Sequence, residues 1–124
     1  MRVCCGGAKI VTDDAPYAAA ESAARLSNNP VALTHALRHR SDIARLNHQP
    51  EIALTQALEA TALSCDLGPA RALDLANALR LVALAHEALG ETRSAMGFWR
   101  EAEALYQSLG VLAGAEECAA HLGR

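Results

Sequence analysis

Two histidines, His35 and His39, stand four residues apart, the spacing that puts two imidazoles on one face of a helix as a metal site requires. Two ligands fall short of a closed site, and no Glu stands beside His35 as a metalloprotease helix demands. Arg38 and Arg40 flank the pair with like charge, so the sequence argues for no metal and no cofactor. The stretch from His35 to His48 gathers three arginines and three histidines against one Asp, a basic patch that could touch phosphate. The chain as a whole carries a net charge of −3, which favours a solvated face over a nucleic-acid interface. Cys4 and Cys5, then Cys65 and Cys118 far apart, match no zinc spacing and read as reduced thiols, packed as small apolar groups or left free. His86 lies on an apolar stripe without a paired Ser or Cys nucleophile, and Gly6 and Gly7 lack the Lys and Ser of a phosphate loop. With no acid, base and nucleophile at a meaningful spacing, the chain is not expected to be an enzyme.

The elements that must carry these residues are helices. Of the 124 residues, 52% are apolar but only 3% aromatic, and the apolar share is mostly alanine and leucine, both strong helix formers. Pro16, Pro30, Pro50 and Pro69 stand where a first turn tolerates a missing N–H, and Gly68, Gly90 and Gly110 each close a Leu-Gly pair after an apolar-periodic run. This punctuation predicts six helices near 15–27, 30–47, 50–66, 69–89, 92–109 and 111–122. In the fourth, Leu75, Leu79, Val82, His86 and Leu89 form a buried stripe and Leu73, Leu81 and Leu84 a second apolar face, so it is expected to pack on both sides. Gly97, inside the fifth helix beside Phe98, is expected to allow close packing. Short connections make neighbouring helices antiparallel. Every long apolar stretch is broken by charge, and no signal-peptide core stands at the N-terminus, so a cytoplasmic protein without a membrane partner is expected. Residues 1–14 are read as an N-terminal arm ahead of the first helix at 15–27.

Sliding the chain on itself exposes a repeat. At an offset of 42, Ala53 falls on Ala95, Glu59 on Glu101, Ala60 on Ala102, Leu63 on Leu105 and Gly68 on Gly110. The same offset places Ala36, Leu37 and Arg38 on Ala78, Leu79 and Arg80, so one period serves both helices of a hairpin. Such a period filled by two antiparallel helices marks an all-α solenoid rather than an ordinary bundle. The units are a degenerate repeat at 30–68, a better-formed repeat at 69–110 and a capping helix within 111–124.

The second unit resembles the tetratricopeptide repeat. Ala95, Trp99 and Ala102 give the spacing of that family's second helix, and Gly90 stands at its turn. The 42-residue period looks like the longer variant found in kinesin light chains. The resemblance covers residues 30–110, with departures: Leu79 stands where the family favours Trp, Ala83 where it has Gly or Ala, and His86 where it has Tyr. In the first unit Asn47 and His48 replace the turn glycine and Ala57 replaces the aromatic, so another side chain must fill the gap; Tyr17 is a candidate.

The family implies a right-handed superhelix with a concave groove for a peptide. Carried over by the repeat, its groove positions are His35, Arg38, Asp42 and Arg45 in one unit and Asn77, Arg80, Leu84 and Glu87 in the next. Arg38 and Arg80 would then present two guanidinium forks suited to carboxylates, with Asn77 bonding a peptide backbone; the alternative is that both pair with Asp42, Glu87 or solvent. Two uses follow: binding a protein or peptide partner, or self-assembly as a homodimer through uncovered end faces.

Overall fold

Six α-helices run through residues 13–124, the part of the chain that the computed structural model describes, and no strand occurs among those residues. They are α1 (Ala15–Leu26), α2 (Pro30–Leu46), α3 (Pro50–Asp66), α4 (Ala72–Ala88), α5 (Thr92–Leu109) and α6 (Leu112–His121). Of the arm, only Asp13 and Asp14 are described; Cys4 and Cys5 lie outside the described residues.

Starts and stops follow the punctuation. Pro16, Pro30 and Pro50 sit in first turns, and the Asn29 side chain accepts the Ala32 N–H at 3.1 Å to cap α2. Pro69 differs, because it opens a single turn of 3-10 helix, Pro69–Arg71, and α4 begins only at Ala72. Gly68, Gly90 and Gly110 end α3, α4 and α5 with φ of +89°, +78° and +74°, the left-handed region a side chain disfavours. Asn28 and His48 adopt the same conformation at +54° and +63°. At the second of these turns the Gln49 N–H reaches back to the Ala44 carbonyl at 2.9 Å, as the Glu91 N–H does to His86 at 2.8 Å. The turn without glycine therefore closes like the turn with it.

Each helix packs on its neighbours in sequence, and α2 also touches α4, an all-α helical-repeat arrangement. Burial repeats at the 42-residue offset. Thr34, Ala76 and Cys118 are buried at equivalent places on α2, α4 and α6, and Leu37 and Ser41 match Leu79 and Ala83. Ala53, Ala57, Ala60 and Ser64 on α3 match Ala95, Trp99, Ala102 and Tyr106 on α5. The centre is α4, buried against both α3 and α5 through Ala76, Ala78, Leu79, Leu81, Val82, Ala83 and Ala85.

Three expectations change. Leu73 is 46% exposed and belongs to no buried face. The space beside Ala57 is filled by Leu81 and Val82, with Leu54, Leu84 and Phe98 around them, while Tyr17 stacks instead on His39 with ring centroids 4.6 Å apart. Gly97 is exposed, and a Cβ built there meets nothing, so it serves no close approach.

Ala24 is the one residue of α1 that is buried, so apolar burial alone gives this helix little hold. Ionic contacts supply the rest. Arg40 of α2 reaches Asp14 through Nε and Nη2 at 2.8–3.1 Å and Glu21 through Nη1 at 2.7 Å. Arg25 extends the chain of charges from Glu21 to a two-pronged contact with Glu59 of α3 at 2.9 and 3.0 Å. Bidentate geometry in a network raises such contacts above the near-zero worth of isolated surface pairs. Burial by itself raises the Glu21 carboxyl, but hydrogen bonds from Arg40 and Arg25 outweigh it and hold the group below the usual carboxylate range. Among the described residues, no helix is long and apolar enough to cross a membrane.

Replacing His48 by Gly relieves the left-handed strain at an exposed position, so we expect a gain of about 1 kcal/mol, read as a higher urea midpoint at unchanged slope. The lowered Glu21 carboxyl binds α1 more tightly when ionised; this stabilisation is present above the unfolded-state value and is lost as pH falls through the folded one. Amide protection in α1 should therefore fall in acid ahead of that in the other helices, and Arg40→Met should give the same loosening already at neutral pH.

Candidate functional site

The first helices of the successive hairpins, α2, α4 and α6, contribute to one open cavity of about 350 Å³. Arg38, His39 and Asp42 line it from α2, Asn77, Arg80 and Leu81 from α4, and Tyr106 from α5. Val111, Ala113, Gly114 and Glu117 close the α6 side. Residues three and four apart on a helix share a face, which is why 38 and 42 meet 77, 80 and 81 here.

Of the eight positions expected to form a groove, the cavity brings together Arg38, Asp42, Asn77 and Arg80 and leaves out the other four. His35 lies on the exposed surface of α2, its Nε2 3.3 Å from that of His39. Arg45 turns back along its own helix to pair with Asp42. Leu84 is packed into the cores around Trp99 and Ala57. Glu87 serves the packing of the hairpin. Its Oε2 accepts the Trp99 Nε1–H at 2.8 Å and lies 2.9 Å from Nδ1 of His121, whose ring stacks on the indole at a centroid distance of 4.0 Å. A buried indole N–H needs an acceptor, and Glu87 provides one while tying α4, α5 and α6 together. The face that a 42-residue transfer assigns at 84 and 87 is thus interior packing, and the cavity takes the turn before it.

The positions that carry the repeat resemblance are packing positions. Leu79, Ala83, Ala95, Trp99 and Ala102 are buried, and Gly90 is left-handed. His86 is partly buried, bonded through Nδ1 to Glu91 at 2.7 Å and stacked on Phe98 at 5.4 Å.

Equivalent in sequence, the two arginines differ in electrostatics. Arg80 donates from Nε to Glu117 at 2.7 Å; burial opposes its charge, but this partner outweighs burial and keeps the guanidinium ionised. Arg38 reaches Asp74 only at 3.5 Å through Nη2, and its buried Nε has no partner among the described residues. The Tyr106 hydroxyl donates to Oδ1 of Asn77 at 2.6 Å, leaving the Asn77 amide hydrogens for a ligand. Burial pushes the Tyr106 phenol up to about 12 and the Cys118 thiol up to about 11. At neutral pH the cavity therefore offers guanidinium and amide donors and a neutral phenol beside the carboxyl groups of Asp42 and Glu117, while the buried Cys118, outside its lining, is no thiolate nucleophile.

Tyr106, Gly114 and Glu117 are site residues that the sequence reading does not assign. The signal for Gly114 is its place inside a short alanine-rich helix, where glycine is a poor helix former. Its reason is contact: a Cβ there would lie 2.6–2.8 Å from the ring carbons of Tyr106, so the ring rests flat against bare backbone. Tyr106 is the 42-residue equivalent of Ser64, a pairing of unlike residues that no match reveals.

No protein-family model matches the chain, and neither a curated protein nor a solved structure matches it.

Gly114→Ala should displace Tyr106 and cost about 1–3 kcal/mol through overpacking, despite alanine's better helix propensity. Gly97→Ala, with open space at its Cβ, should instead stabilise by up to about 1 kcal/mol. Paired thermal melts of the two variants check both signs.

Proposed function

We propose that this chain is a tetratricopeptide-like interaction module, without catalytic activity, that holds an acidic segment of a partner protein in the cavity between α2, α4 and α6. The observation that carries the reading is the Arg38 guanidinium, at the cavity wall with its Nε unpaired among the described residues and its nearest carboxylate at 3.5 Å. A peptide carboxylate there would bond the terminal nitrogens of the fork, which Asp74 approaches only to 3.5 Å, and the Asn77 amide stands ready to bond its backbone. Arg80 contributes less, because Glu117 already occupies it. The repeat-wide agreement of burial at a 42-residue offset supports the family reading, in which such a module serves protein–protein contact.

A second reading, self-association, is favoured by Leu112 and Leu109, 75% and 43% exposed at the corner between α5 and α6.

The test is a peptide array of acidic sequences beside copies with Asp and Glu changed to Asn and Gln, probed with the full chain. Acidic peptides should be retained, and Arg38→Ala should weaken them about tenfold or more, the loss of one charge-assisted hydrogen bond. Equal retention by the Arg38→Ala, Arg80→Ala double variant would remove the cavity from the proposal. Light scattering on the same samples decides the second reading: a monomer at low concentration counts against it.

A further inference from the structure

The His35–His39 pair has a geometry that the peptide reading does not use. Their Nε2 atoms approach to 3.3 Å while the ring centroids are 4.5 Å apart, so the ring nitrogens converge on one another. A tetrahedral ion bound by two imidazoles at about 2.0–2.1 Å holds its nitrogens about 3.3–3.4 Å apart. The pair already stands at that separation. Both side chains project from the body of α2, a helix fixed between α1, α3 and α4, and the Tyr17 ring stacked on His39 at 12° holds that imidazole in place.

Of the two arginines that argue against a cation in the sequence, Arg40 is neutralised in the structure and Arg38 only partly offset. Arg40 is turned into the Asp14 and Glu21 carboxylates, and Arg38 points toward Asp74. Both histidines are exposed, so an ion has access.

We propose that His35 and His39 form a two-imidazole chelate for a borderline divalent transition-metal ion such as Zn²⁺, whose tetrahedral bite fits the observed separation. Among the described residues no third His, Cys, Asp or Glu joins them, so the remaining coordination positions belong to water and the site is open. Imidazole ligation selects this class of ion over Mg²⁺ and Ca²⁺, which take oxygen. Binding needs both Nε2 lone pairs, so each imidazole keeps its hydrogen on Nδ1 and the Nε2–H that links the two rings gives way to the metal. The ion holds α2 at positions 35 and 39 and so stabilises the folded chain by mass action. The pair shares His39 with the cavity wall, but the inference does not rest on the peptide reading.

The test is titration of the full chain with Zn²⁺, followed by calorimetry, thermal melting and imidazole ¹⁵N chemical shifts. One equivalent should bind, raise the Tm and shift the Nε2 resonances of His35 and His39, whereas Mg²⁺ should do none of these. His35→Gln and His39→Gln should each abolish the rise in Tm, and His48→Gln, on an exposed turn outside the pair, should keep it. The cysteines are a competing source of Zn²⁺ binding. An equivalent that binds without moving the two histidine resonances, or a Tm rise that survives His35→Gln, overturns the proposal. So does the absence of any shift, which would leave the pair as a hydrogen bond only. His35→Gln is the deciding variant because its side chain is exposed and its fold can be verified by melting without metal.

Discussion

Burial of α4 from two sides is the constraint on which the other helices depend. A helix enclosed by two neighbours must offer small side chains to both, and Ala76, Ala78, Ala83 and Ala85 all have zero exposure. The facing helices answer in kind with Ala53, Ala57 and Ala60 on α3 and Ala95 and Ala102 on α5. Alanine loses no side-chain rotamer entropy on burial and lets helix axes draw together. Bulk is then admitted at few points, and its placement makes the two hairpins unlike. Trp99 fills one interior against α6, whereas at Ala57 the equivalent volume comes from α4 itself through Leu81 and Val82. Leu81, which packs on Ala57 there, also forms part of the cavity wall.

Helix number, helix limits and the repeat are legible in the sequence because they are written in local chemistry. Proline at first turns and glycine at left-handed ends act within a few residues, and burial at a fixed offset is a periodic signal. The limits of α3 and α5 agree with the sequence reading to the residue, and α4 departs at its start because Pro69 opens a 3-10 turn that leaves no distinct pattern. What is not legible depends on contacts far apart in the chain. Arg40 reads as a charge beside a histidine pair, but Asp14 and Glu21 of another helix take it away. Gly97 and Gly114 look alike, each a glycine inside a helix, and only the position of the Tyr106 ring separates them. Glu87 reads as a groove residue because the repeat places it opposite the packing stripe. The indole N–H that claims it sits at Trp99, where the other hairpin has Ala57 and needs no acceptor.

The same inequality between hairpins shapes the site itself, where half of the assigned residues converge and half do not. Arg38 and Arg80 hold identical positions in successive hairpins and are equals in the repeat. Their partners come from the next first helix along the array. For Arg80 that helix is α6, which supplies Glu117 at 2.7 Å. The residue 42 positions before Glu117 is Leu75, so beside Arg38 the corresponding place on α4 is apolar. Asp74, one residue earlier, reaches Arg38 only at 3.5 Å and is shared with Arg71 at 3.7 Å. Leu75 is committed to the core around Trp99, so α4 cannot carry a carboxylate there without unpacking its own hairpin. Two-sided packing of α4 thus leaves Arg38 the under-satisfied cation of the pair, and the repeat's imperfection, rather than its regularity, sets the two arginines apart.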